Sequence, residues 1–327
     1  MTADPYLVHC RPPGWGFFAN FFLILDGISE ADRHGWAPVV DLEHHRTYYN
    51  ESDPVGGTAN AWEYYFEQPA GLSVAEALAD GARSNDGKPT GEFFWTPTGV
   101  DDPRLRGEMA ARGRSLVARY VRVHPHIRST VDGVMGPDRR ADLLGVHVRG
   151  TDARQSTVPK HPVPAPAEIF LERAMALVKE RGLSGVFLAC DEIDTVELFR
   201  AEFGDRLVCA DAFRLPRSVR TKPDFNWLFD HPRPQHRYLL GREVLVDVLG
   251  LARCATLLCG PSNVALAAVS FASEDPDVIG VEPIAMSGRR HFRRKYADPR
   301  HLWKVATGRF HRPVDLSPIE AEEESTL

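Results

Sequence analysis

Between residues 141 and 282, short apolar runs alternate with helical patterns, and this alternation most limits what the chain can fold into. The strand-like runs are Leu143–Val148, Val186–Cys190, Leu207–Ala210, Thr256–Cys259 and Val278–Val281. Between them, apolar positions recur at helical spacing over 167–181, 194–203, 242–253 and 262–271, with Gly182 and Gly204 closing the first two. Continuous apolar strands between helices predict a parallel sheet covered on both faces. The dinucleotide signature GxGxxG is absent after the first of these strands.

The first half repeats the theme less regularly. Tyr6–Cys10 reads as a strand, residues 14–16 as a loop, Phe17–His34 as a helix closed by Gly35, and Pro38–Leu42 as a second strand. Helices are expected over 73–81 and 104–123, and loop over the Gly- and Pro-rich stretch 85–98. The chain is therefore expected to be α/β, with an N-terminal α/β domain over 1–138 and a Rossmann-like domain over 139–290. A helical segment and acidic tail follow over 291–327.

Strand ends of the second half carry the chemistry. In open α/β sheets, ligands bind beyond the carboxyl ends of the strands. After the first strand come Arg149, Thr151 and Asp152; after the second, Asp191 and Glu192; after the third, Asp211; after the fourth, Gly260-Pro-Ser-Asn263. The planar fork of Arg149 suits a phosphate, although pairing with Asp152 is an equally good structural reading. A Gly-containing turn into a helix offers free N–H groups to an anion, and Ser262 or Asn263 also reads as a plain N-cap. Asp191 and Glu192 read best as helix-start acids. Arg149 and the turn at 262 would bracket a diphosphate, leaving Asp211 to meet a nucleobase edge rich in donors.

Other polar positions keep two readings. Gly14 and Gly16 either admit a sugar or acceptor close to the backbone or only shape the first strand-to-helix turn. Asn20 reads as a buried, satisfied amide, and Trp62 to Phe66 as core. Glu63 and Glu67 face either the cleft or solvent. Asp247 reads as inward-facing. The Pro-rich stretch 215–238, with Arg217 and His231 to His236, reads as a lid or acceptor loop, and the basic run 289–295 as a solvated face. Candidate bases are Asp152, Glu63 and His161.

His147-Val-Arg-Gly-Thr-Asp152, Phe187–Asp191, Asp211, Leu245–Val248 and Leu257–Asn263 occur in an order that resembles the fucosyltransferase superfamily. Its members include core alpha-1,6-fucosyltransferases, nodulation fucosyltransferases and protein O-fucosyltransferases. The stretch Asn60–Pro69 is similar to a bacterial group associated with surface polysaccharides. The resemblance implies a GT-B-like architecture, two Rossmann-like domains facing across a cleft. It also implies metal-independent, inverting transfer of L-fucose or a related deoxyhexose from a GDP-sugar to an acceptor hydroxyl. By the same resemblance Arg149 contacts the diphosphate, Asp211 binds guanine, and His147 sits against the nucleotide. Ser262 and Asn263, with Val264 in the same turn, fall at the phosphate-binding helix start. The chain departs from the core alpha-1,6 enzymes at Gly150, where they carry a second Arg, and in 153–157, which lacks their Lys and Glu. Two alternatives stand beside this reading: another nucleotide sugar, or a nucleotide- or glycan-binding protein without catalysis.

The remaining features narrow the class. A net charge of −6 excludes a global basic field for nucleic acid. A P-loop kinase or sulfotransferase is disfavoured because no Lys-Ser/Thr follows Gly14-Trp-Gly16. No zinc spacing is found among the five cysteines, no metal or cofactor beyond the donor is expected, and the acceptor is a glycan, peptide or small molecule. With no secretory leader and no membrane-spanning stretch in view, the expected location is cytoplasmic.

Overall fold

The structure is a computed structural model that describes residues 3–11, 15–95, 97, 99–138, 140–150, 161–219, 229 and 231–286. Gly14, Asp152, the 153–157 loop, the basic run 289–295 and the 291–327 segment lie outside the described residues.

Two parallel sheets organise the chain. In the first half, β1 (Pro5–Val8) leads to α1 (Phe17–His34), β2 (Ala37–Val40), α2 (Val74–Ala79) and β3 (Arg83–Ser84). The strands pair in the order β2-β1-β3, all parallel. Gly35, at φ 70°, ends α1 in the left-handed conformation that glycine adopts freely. A reciprocal Ser73–Glu76 capping box starts α2. Then come α3 (Gly107–Tyr120) and α4 (Pro125–Met135).

The second half begins with β4 (Arg140–Val148), followed by β5 (Pro162–Val163), α5 (Ala167–Arg181), β6 (Gly185–Cys190), α6 (Ile193–Phe203) and β7 (Leu207–Val208). It continues with α7 (His236–Leu251), β8 (Cys254–Cys259), α8 (Asn263–Phe271), β9 (Asp277–Gly280) and β10 (Ala285–Met286). The main sheet has the order β7-β6-β4-β8-β9, every pair parallel, and β5 pairs with β10 beside it. The expected α/β architecture is the one observed.

Side-chain alternation along β4 sorts the two faces. Leu144, Val146 and Val148 join a core with Phe170 of α5 and Phe199 of α6. Leu143 packs in the other, larger core with Leu245 and Val248 of α7 and Leu266 of α8. His147 has the parity of Leu143, so it faces α7 and α8. That larger core also takes in Phe21 and Phe22 of α1, so the two halves share one apolar interior.

Three elements differ from the sequence reading. The helix expected over 104–123 is split: Pro103–Leu105 forms a short 3-10 turn, Arg106 is extended, and Gly107 at φ +67° starts α3. The α4 helix was not anticipated, although Ile127, Val131 and Met135 bury one stripe of it at i, i+4, i+8 spacing. α7 starts at His236, six residues before the expected Arg242, inside the stretch read as a loop.

α7 lies against β6 so closely that residue 250 has no room for a side chain. A Cβ there would stand 2.5 Å from Phe187 Cε1 and 2.8 Å from Cε2. Gly250→Val should therefore overpack this contact and destabilise the protein by about 1–3 kcal/mol. Urea unfolding checks this, and an unchanged midpoint would show that the contact can yield.

Candidate functional site

The strand order places the site. From β4 the chain steps through β6 to β7 on one side, then returns to lay β8 and β9 on the other. The carboxyl ends of β4 and β8 therefore flank a topological switch point, where open α/β sheets bind ligands. In register, His147 of β4 lies beside Cys259 of β8.

A polar contact ties these two ends together. The Ser262 hydroxyl lies 3.1 Å from His147 Nδ1, and its oxygen accepts from Ala265 N at 3.0 Å as the N-cap of α8. His147 is 6% exposed. Burial, with a smaller contribution from the Arg149 charge, pushes the imidazole down to about 3, so the ring is neutral near pH 7. A hydroxyl proton donated to Nδ1 leaves the ring proton on Nε2. Arg149, two residues on, is half-buried. Asn263 and Val264, also half-buried, occupy the first turn of α8. There the N–H groups precede any intrahelical acceptor and the helix dipole is positive. Thus His147, Arg149, Ser262, Asn263 and Val264 share one strand-end corner.

Gly150 explains why no second arginine stands after Arg149. Its N–H donates to Asp191 Oδ1 at 2.9 Å, and a Cβ there would stand 2.6 Å from Glu192 Cγ. Asp191 therefore braces the end of β4, and neither acid acts as the expected side-chain cap. Glu192 is the N-cap residue of α6 without a side-chain cap bond; it is buried and accepts from Thr195 Oγ1 at 3.2 Å. Arg214 was not among the residues singled out from sequence. It donates to Cys190 O at 3.2 Å and Ala210 O at 2.7 Å, fastening the ends of β6 and β7. Asp211, next to that staple, is exposed. Asp247 is buried below, facing inward as expected, and its Oδ1 lacks a hydrogen-bond partner among the described residues. Burial raises its carboxyl to about 7 against the pull of Arg214, with Glu243 and Asp191 adding to the rise.

The loop beyond the carboxyl edge of the first sheet meets the head of α7, at a seam between the two halves. Beyond β2, Tyr48 stacks on Phe229 at 5.1 Å and its carbonyl accepts from Arg237 Nη1 at 3.2 Å. Glu51 Oε1 accepts from Tyr238 N at 2.8 Å. A cavity of about 420 Å³ opens here at the head of α7, lined by Glu51, Ser52, His231, Arg233, His236 and Arg237. Of the first-half candidates, Gly16 is the N-cap of α1 at φ −60° with open space around it, so nothing there demands glycine. Asn20 is buried and exchanges two hydrogen bonds with the Trp15 backbone. Glu63 accepts from Thr58 Oγ1 (2.6 Å), Asn60 Nδ2 (3.3 Å) and Gln68 Nε2 (2.8 Å). Those donors make it a brace for the loop beyond β2. Glu67 pairs with Arg122 at 3.1 Å. His161 contacts its neighbour's carbonyl, Pro162 O, at 3.2 Å.

The strand-end rule, applied to β1 and β2 as well, would have found a group the sequence reading passed over. His9 follows β1, and Asp41, His44 and His45 follow β2. The rings of His9 and His45 stack at 3.5 Å with 9° between their planes. Among the described residues no cluster of three His, Cys, Asp or Glu is arranged to hold a metal.

No family profile and no curated protein matches the chain. Solved structures do. The crystal structure of fucosyltransferase NodZ from Bradyrhizobium is similar at 18% identity and a TM-score of 0.45, covering 82% of this chain and 93% of that one. NodZ alpha-1,6-fucosyltransferase soaked with GDP-fucose gives 18%, 0.46, 83% and 93%. POFUT1 in complex with GDP gives 13%, 0.44, 86% and 99%. Among the described residues, no helix is long and apolar enough to cross a membrane.

The neutral His147 has a pH signature. Below pH 6.5 an unfolded chain takes up a proton that the folded ring refuses until about pH 3, so acidification through that window costs stability. His147→Gln should remove that component, up to about 1.4 kcal/mol per pH unit. Denaturant titrations at several pH values check the slope; parallel wild-type and variant curves would contradict it.

Proposed function

We propose that this protein is a glycosyltransferase that moves L-fucose, or a related deoxyhexose, from a GDP-sugar to an acceptor hydroxyl with inversion. The observation that carries this reading is the polar corner at the strand reversal, where Arg149 follows the His147–Ser262 contact and the first turn of α8 opens beside it. A guanidinium and a helix start on adjacent strand ends suit a pyrophosphate better than a single phosphate. Asp211, exposed at the end of β7, offers a carboxylate to the amino and imino donors of guanine.

The chemistry follows from where charge develops. As the bond from the anomeric carbon to the diphosphate oxygen breaks, negative charge collects on the leaving β-phosphate. Arg149 and the amides of Asn263 and Val264 stand ready to receive it, which is the larger catalytic effect expected. These fixed positive groups can do that work without a metal ion. His147 contributes no charge, and it orients Ser262 and hence the start of α8. The five cysteines are free thiols, which supports a reducing, cytoplasmic setting.

Calorimetric titration with GDP, UDP and TDP tests the reading. GDP should bind tightest, and Arg149→Ala should weaken it by about ten- to hundredfold through loss of charge-assisted bonds. Equal binding of all three would remove the guanine assignment. No binding of any would remove the nucleotide-sugar reading.

A further inference from the structure

We propose that His45 is the base that takes the proton from the acceptor hydroxyl. This inference rests on the nucleotide-sugar reading above and adds to it a proton acceptor from the first half.

The geometry of the first sheet's carboxyl edge supports it. His9 is buried at the end of β1 and held on both ring nitrogens, by Ser84 Oγ at 3.0 Å and Cys10 O at 3.4 Å. It forms a flat wall. His45 lies face to face on that wall, half-buried, and among the described residues neither of its ring nitrogens has a hydrogen-bond partner. Its neighbour His44 is committed elsewhere: its Nδ1 meets Asp41 Oδ2 at 3.0 Å, while Asp41 Oδ1 accepts the His44 backbone N–H at 3.0 Å. This turn fixes the backbone just before His45. Three residues later Tyr48 packs on Phe229 at the seam between the halves. His45 is therefore an imidazole fixed by stacking, with both nitrogens open among the described residues, on the carboxyl edge of the first sheet, whose loop beyond β2 meets the head of α7 through Tyr48 and Glu51.

The environment disfavours charge on His9. Burial, and then the charge of His45, lower the proton affinity of His9, while Asp41 and Asp86 act in the opposite direction. Two stacked imidazoles disfavour a shared double charge, and the buried inner ring resists protonation. In the reaction the acceptor O–H bond breaks and its proton passes to a nitrogen of His45. The acceptor oxygen bonds to the anomeric carbon, and the bond to the β-phosphate oxygen breaks. GDP leaves with that electron pair.

The test uses the full chain with GDP-fucose as donor and water standing in for the acceptor, reading GDP release. His45→Ala and His45→Gln should each lower the release rate by about 10²-fold or more, with GDP affinity and melting temperature unchanged. The glutamine variant keeps a planar polar group but no base. Added imidazole should restore release in His45→Ala and not in wild type. Wild-type rates in both variants, with GDP still bound, would overturn the role of His45 and leave the nucleotide reading intact. A wild-type chain that binds GDP but releases none from GDP-fucose would overturn transfer itself, and His45 with it.

Discussion

The hydrogen bond between His147 and Ser262 joins the two strand ends on which the rest of the site depends. It crosses from β4 to the start of α8, where the sheet reverses its order. Among the described residues it is the direct polar link between the cap of α8 and the strand that leads to Arg149. Burial keeps the imidazole uncharged, so the link is a neutral one that leaves the positive field of the corner to Arg149 and the helix dipole.

The surrounding groups keep that corner rigid and open. Asp191 holds the Gly150 amide, and Glu192 fills the space that a side chain at 150 would need. Arg214 clips the ends of β6 and β7 together one strand further out. On the opposite side of the seam, the loop beyond β2 is braced by Asn60, Glu63 and Asn50, whose Nδ2 donates to Leu42 O at 2.6 Å. A fixed loop there makes a stacked histidine pair a stable feature rather than an incidental contact, which is the condition for a positioned proton acceptor.

Much of this was legible because period and strand-end position are local properties. The apolar run to Val148, the Gly-Pro-Ser-Asn turn and the α1 boundaries at Phe17 and Gly35 could be read directly. The Ser262 cap was legible too, but its partner His147 was not, since that contact joins residues 115 apart in the chain. Arg214 was opaque because its role is set by backbone carbonyls, one of them 24 residues away, and Glu63 because its neighbours Thr58, Asn60 and Gln68 converge on it only in the folded loop. α4 carries its stripe at Ile127, Val131 and Met135, but Pro125 at its first position reads as a helix stop as readily as a helix start. The start of α7 was hidden by Pro232 and Pro234, which mark the turn before the helix and gave the segment the look of a loop.

The most direct measurement is a crystal structure of the protein soaked with GDP. The pyrophosphate should lie between the Arg149 guanidinium and the amides of Asn263 and Val264, with the guanine toward Asp211. A nucleotide bound away from the ends of β4 and β8, or a guanidinium turned from the start of α8 with GDP present, would contradict the account.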